Sequence, residues 1–300
     1  MGTRSQRPLS LSMVSMWPAW RHRRFRRPCK PRSQRCIHTQ PATTRTATRC
    51  LHIVNNRAKA LPSSQSTFAI IVALSRGDNS EKQESTPMKK NVLVCMNAKG
   101  GCGKTTLAIH LAETLALHGF STVVVDSDPQ GTSTLWSMAG DGMALKVVSA
   151  GPLTMTADLA RLSAEYAYVV VDCVPSSTAP GNLAALDAAA VVLIPCQTST
   201  PDLWATTAVL ELLARRHPTL PCLVVPNAMS ATTVSKEVLE LMEGTWPVSR
   251  ARLGARACYR EAAARGTTVH SMSGRGPALA SREVKDLAFE IIATMNRSAA

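Results

Sequence analysis

Two lysines, Lys99 and Lys104, bracket a run of glycines in the segment Lys-Gly-Gly-Cys-Gly-Lys-Thr-Thr that ends at Thr106. Gly100, Gly101 and Gly103 carry no Cβ, so the N–H groups of such a loop are free to turn inward around an anion. The apolar stretch 92–96 reads as a buried strand. The stretch from Thr105 to Leu115 reads as the start of an amphipathic helix, whose positive end points at the same spot. Strand, glycine loop, Lys-Thr and helix compose a P-loop. The chemistry is that of a nucleoside triphosphate: Lys104 reaches the β- and γ-phosphates, and the Thr105 hydroxyl ligates Mg²⁺. The rest of the cradle is Lys99, Gly100, Gly101, Cys102, Gly103 and Thr106. Ala98 stands where the ordinary P-loop pattern has its first glycine.

Two acids lie at the ends of apolar runs downstream. Asp172 follows Tyr-Val-Val-Val, the form in which a buried strand delivers one carboxylate toward Mg²⁺. Asp126 follows Thr-Val-Val-Val and opens Asp-Ser-Asp-Pro-Gln-Gly, which ends at Gly131. Either acid alone is equally readable as a turn or capping residue. Together with the loop about twenty residues upstream, they read as a metal and catalytic pair.

The loop, with a lysine at its front, resembles the deviant Walker A motif, KGGxGKTT, of the ParA/MinD family of ATPases. Asp126 to Gly131 resembles the family's D-x-D-P-Q-G segment. Asp172 to Ser176 is similar to its D-C-P-P-S, with Val174 in place of a proline. The resemblance runs from Met88 to about Asn296. It implies ATP and Mg²⁺ as cofactors, with Thr105, Asp126 and Asp172 around the metal and Asp126 orienting the attacking water. It implies that Lys99 reaches across an ATP-dependent homodimer to the partner's nucleotide, as an arginine finger does. Hydrolysis is then slow, because no glutamate stands out as a general base. Asn227 falls where relatives place a residue on the adenine. No Asn-Lys-x-Asp sequence is present, which argues against a guanine-specific enzyme.

A basic constellation follows: Arg250, Arg252, Arg256, Arg260 and Arg265, opposed only by Glu261. Arg252, Arg256 and Arg260 are four apart, so one helix would align them on one face. Arg256 to Gly266 resembles the family's R-x-x-Y-x-E-A-x-x-x-G, where arginines of partition relatives touch DNA phosphates without reading sequence. A solvated basic face is the other reading. The family implies a partition ATPase with a ParB-like or centromere-binding activator and a plasmid or chromosome as cargo. Alternatives are a relative that positions a protein cargo or one that works at a membrane surface. The chain's last helix lacks the basic polar face that a membrane needs. An iron–sulfur reductase on the same fold needs paired cluster cysteines, and Cys173 has no convincing companion.

The elements that must position these residues alternate. Strands are expected at 121–126, 168–172, 191–195 and 222–226. Helices are expected at 154–165, 182–188, 200–214, 234–242 and 278–295, with Gly119 as a helix cap. Unbroken β-branched runs between helices predict an α/β fold with a mostly parallel sheet covered on both faces. Ligands of such sheets bind at the carboxyl ends of strands, where Asp126, Asp172 and Asn227 fall.

The 300 residues carry a formal charge of +14, unevenly. No Asp or Glu precedes Asp78, and 15 of the 34 Lys and Arg lie in residues 1–77, so 19 basic residues face 20 acidic ones beyond. Residues 1–87 therefore read as a basic, low-order extension ahead of an ATPase domain at 88–300. A DNA-touching arm and a transit peptide are both compatible with that composition. The favoured reading is a working chain that starts at Met88. The apolar run 68–74 is far too short to span a bilayer. Nine cysteines without a C-x-x-C pair or an export signal point to a reducing cytoplasm, with nucleoid association implied by the DNA reading.

Overall fold

The computed structural model describes residues 91–140, 143 and 145–299. The basic segment 1–87, its apolar run 68–74 and the expected start at Met88 lie outside the described residues. Six strands form one parallel sheet: β1 (Val92–Cys95), β2 (Thr122–Asp126), β3 (Lys146–Ser149), β4 (Tyr168–Asp172), β5 (Ala189–Cys196) and β6 (Cys222–Pro226). Their order is β3-β2-β4-β1-β5-β6.

Eight helices are described: α1 (Lys104–Leu117), α2 (Thr132–Met138), α3 (Met155–Glu165), α4 (Pro180–Ala188), α5 (Thr200–Arg216), α6 (Thr233–Thr245), α7 (Ala257–Ala264) and α8 (Arg275–Ala299). Alternate strand residues feed two cores. Leu93, Val124 and Val170 pack with α1, α7 and α8, while Val94, Val125 and Val171 pack with α3, α4 and α5. Burial on both faces explains the unbroken valine runs.

The register brings the chemistry together. Cys95, Asp126 and Asp172 are neighbours across three adjacent strands, at the carboxyl edge from which the glycine loop departs. Gly119 adopts the left-handed conformation just past α1, as its position predicts.

Two expectations need correction, and three elements are added. The helix after the glycine loop is not amphipathic: residues 107–115 are all buried, because β2 and β4 cover one side and α8 the other. Arg252, Arg256 and Arg260 do not share a helix face. Leu253 N donates to Pro226 O and Ala255 N to Met229 O, which ties 252–255 into an extended hook, and α7 starts only at Ala257. Finally, α2, α7 and the edge strand β3 were not foreseen. Each is short, and β3 is partly exposed, so none carries a long periodic pattern.

Candidate functional site

The loop after β1 is shaped by glycines that no other residue replaces without strain. Gly101 and Gly103 have φ of 74° and 101°. A Cβ on Gly103 would fall 2.0 Å from Asn227 Nδ2. The Asn227 amide donates to Cys102 O at 2.7 Å, and its Oδ1 accepts from Ala228 N. Asn227, expected at the adenine, here clamps the main chain of the phosphate loop. Gln197 Nε2 donates to Gly101 O at 3.0 Å and steadies the exposed crest. Cys102 is buried, and burial pushes its thiol up.

The two lysines point in different directions. Lys104 is buried, and its ammonium donates to Lys99 O at 2.9 Å across the mouth of the loop. The Lys99 side chain is 34% exposed and its ammonium lies 2.8 Å from the fully buried carboxylate of Asp202. Lys99 also donates to Ser199 Oγ at 3.3 Å. Its backbone N–H is held by Asn97 Oδ1 at 3.0 Å, and the buried Asn97 amide donates to Pro195 O and Thr206 Oγ1. The second oxygen of Asp202 has no hydrogen-bond partner.

The acids face the loop from the other side. Asp172 Oδ2 accepts from Thr105 Oγ1 at 2.8 Å and from Ser133 Oγ at 2.7 Å. Burial pushes the Asp172 carboxyl up to about 6, against the pull of the Ser133 and Thr105 hydroxyls. Asp172 Oδ1 is buried without a partner. That orphan oxygen beside a threonine hydroxyl suits a hard divalent cation, so Thr105 and Asp172 fit Mg²⁺. Asp126 is tied more firmly: Oδ2 accepts from Thr134 N and Thr134 Oγ1, both at 2.9 Å, and Oδ1 accepts from Asp128 N at 3.2 Å. Asp128 in turn accepts from Gln130 N, so the loop closes on itself.

Sequence reasoning missed Asn97, Ser133, Thr134, Gln197, Ser199 and Asp202. Ser133 and Thr134 follow the acidic loop directly, and Ser199 with Asp202 reads only as the polar start of a helix.

The basic segment is divided. Arg256 is withdrawn: its guanidinium forms a bidentate pair with Glu283, which also accepts from Gly254 N and Tyr259 Oη. Arg252 is exposed and paired with Glu243. Arg250, Arg260 and Arg265 are exposed. A cavity of about 260 Å³ lined by Trp246, Val248, Arg250 and Arg252 belongs to this region and includes no residue of the phosphate loop. No group of three or more His, Cys, Asp or Glu placed to hold a metal is found among the described residues.

A family model for the CobQ/CobB/MinD/ParA nucleotide binding domain matches residues 93–269. The chain is 29% identical over 212 residues to the maintenance of carboxysome distribution protein A of Halothiobacillus neapolitanus, covering 68% of this chain and 97% of that protein. It is 33% identical over 153 residues to the chromosome partitioning protein ParA of Myxococcus xanthus, covering 35% and 52%. A structure described as a plasmid partition protein of Borrelia burgdorferi bound to AMPPNP shares the fold, with a TM-score of 0.55 at 17% identity over 71% of this chain and all of that one.

Proposed function

Since this chain belongs to the CobQ/CobB/MinD/ParA nucleotide-binding family of P-loop ATPases, we propose that it is a positioning ATPase of the ParA type. In this reading ATP joins two copies face to face, the pair coats DNA without reading its sequence, and slow hydrolysis releases it. An activator protein carried by the cargo speeds that hydrolysis. The setting is the cytoplasm, at the nucleoid.

The observation that carries the reading is the division between the two lysines. Lys104 is buried and turned into its own loop, where its ammonium serves the phosphates that the loop holds. Lys99 stands at the front of the same loop with its ammonium turned away, beside Asp202 and Ser199. Once it leaves these partners, a cation at the front of the loop suits a neighbouring copy's phosphates, where it offsets the charge that builds on the transferred group.

Mg²⁺ bound with ATP supplies further charge neutralisation there, and Thr105 and Asp172 are the residues that would hold it. Asp126 orients the attacking water. Three protein donors, Asp128 N, Thr134 N and Thr134 Oγ1, hold its carboxylate in place for that role. Arg250, Arg260 and Arg265 offer exposed charge for phosphate contacts; Arg256, engaged by Glu283, is left out of that surface.

Two cargo readings stand. The first is a plasmid or chromosome site. The second, a protein assembly, is favoured by one observation: the relative aligned over 97% of its own length is named for carboxysome distribution. An activator that stimulates hydrolysis while bound to a DNA site supports the first; one that does so on a protein body supports the second. A membrane role has less support. The apolar face of α8 (Val284, Leu287, Ile291) is buried in the protein's own core. No described helix is long and apolar enough to cross a membrane.

Sedimentation with a non-hydrolysed ATP analogue tests the lysine assignment. Wild type doubles in mass, Lys99→Ala binds nucleotide but stays single, and Lys104→Ala fails to bind. A Lys99→Ala protein that pairs and hydrolyses as wild type does would show that Lys99 has no role across the interface.

A further inference from the structure

Helix α2 starts at the two acids of the site and ends against the turn that follows α7. At its first turn the Ser133 hydroxyl holds Asp172 at 2.7 Å, and Thr134 holds Asp126 through both its N–H and its hydroxyl at 2.9 Å. On its inner side the buried Trp136 donates from Nε1 to Thr267 O at 2.9 Å. Just past its end, Gly140 meets Gly266 backbone to backbone. A Cβ on Gly140 would lie 2.4 Å from Arg265 O, and one on Gly266 would lie 2.2 Å from Gly140 N. There is no side chain between these segments to absorb a displacement.

A second line reaches the same turn from α1. His110 Nδ1–H donates to Thr106 O at 2.8 Å, and His110 Nε2 accepts from Val269 N at 3.2 Å. The imidazole also packs edge-on against Trp136 at 5.6 Å and Tyr259 at 5.1 Å. Residues 265–269 are therefore gripped by two elements, α1 and α2, each of which begins at the phosphate site. The exposed Arg260 and Arg265 sit on α7 and immediately after it.

We propose that α2 is a transmission helix: through Trp136 and the Gly140–Gly266 contact it relays the state of the phosphate site to the Arg265–Val269 turn and its flanking arginines. The physical reason is competition. Nucleotide and cation at the loop draw on the Thr105 hydroxyl and the Asp172 carboxylate, and that carboxylate now accepts from both Thr105 and Ser133. Any change in those bonds moves the first turn of α2. A packed helix moves as a unit, and its far end is in backbone contact with Gly266. The inference rests on the ATP-binding part of the proposed function and is independent of what the arginines bind.

Hydrogen exchange on the full chain, with and without Mg²⁺-ATP, tests it. In wild type, nucleotide slows exchange in the loop 99–106 and alters exchange at residues 265–269 by severalfold. In Trp136→Phe, which keeps a ring but removes the N–H donor, the loop is still protected and the change at 265–269 is largely lost. Thr134→Val, which removes the hydroxyl bond to Asp126 and keeps the N–H bond, loosens the other end of α2; it diminishes the response at 265–269 and stands in if Trp136→Phe is poorly folded. An undiminished response at 265–269 in both variants overturns the proposal. So does a wild-type protein whose loop is protected while 265–269 does not respond. No protection of the loop in wild type is a different failure: it refutes ATP binding itself, and the relay with it.

Discussion

Replacing Asp202 by Asn should tighten ATP-dependent pairing. Lys99 is held within its own chain by the Asp202 carboxylate at 2.8 Å and by Ser199. To serve a neighbour's phosphate it must first leave them. A hydrogen bond to a charged group contributes about 1.5–3 kcal/mol. The Lys99 side chain is 34% exposed, and that solvent access argues for the low end. Relieving about 1.5 kcal/mol in each of two subunits gives about 3 kcal/mol, roughly a hundredfold in the dimer dissociation constant. The fold itself is little affected, since Asn keeps the shape and removes a buried charge whose other oxygen has no partner. Sedimentation equilibrium with a non-hydrolysed ATP analogue measures the constant. The control is the same substitution in a Lys99→Ala background, which stays single and which the substitution should not make pair. Unchanged or weaker pairing in Asp202→Asn, or an effect that persists without Lys99, would refute the reasoning.

The remaining expectations concern stability and the basic face. Gly266→Ala places a Cβ 2.2 Å from Gly140 N at a φ of 57°, so it should cost about 3 kcal/mol and lower Tm by roughly 6–12 °C. Gly119→Ala, at a φ of 85° with nothing within 4 Å, should cost only about 1 kcal/mol; thermal unfolding separates the two. Burial pulls His110 down to about 3 and His270 to about 4, so both are neutral in the fold, and the stability they contribute above pH 6.5 is lost as pH falls below it. Asp172, raised to about 6, works in the opposite direction over the same range. Between pH 7 and 4.5 the His110 part alone is about 2–3 kcal/mol, and His110→Asn should flatten the pH dependence of denaturant unfolding by that amount; an unchanged slope would show that His110 is not held neutral. Arg256→Ala should cost about 1–3 kcal/mol of stability through the orphaned Glu283 and leave the salt dependence of DNA binding alone. Arg260→Ala should leave Tm nearly unchanged and reduce the salt slope by about one.

Much of this was legible in the chain, for identifiable reasons. The glycine loop, Asp126 and Asp172 fall at the ends of unbroken apolar strands, and a parallel sheet buried on both faces puts such strand ends on one edge. Partners brought in by tertiary packing were not legible. Asp202 lies about a hundred residues from Lys99, and nothing in Ser-Thr-Pro-Asp distinguishes an ion-pair partner from the first turn of a helix. The arginine spacing misled because main-chain bonds from residues 253 and 255 to Pro226 and Met229 hold that stretch extended, and local spacing does not reveal such long-range pairing. Trp136 looked unremarkable in sequence, and Gly266 stood out only as the last residue of the Arg256–Gly266 pattern, because the importance of both lies in a contact between two turns.

The central claim is an ATP-gated grip on DNA, and binding of the full chain to random-sequence duplex DNA tests it most directly. The measurement is made with Mg²⁺-ATP, with Mg²⁺-ADP and without nucleotide, at low and moderate salt. The account predicts tight, salt-sensitive binding with ATP and at least tenfold weaker binding in the other two states. The 15 basic residues of 1–77 bring charge that owes nothing to nucleotide, so the difference between states is the readout and not the affinity itself. Equal binding in all three states, or none in any, would contradict the account.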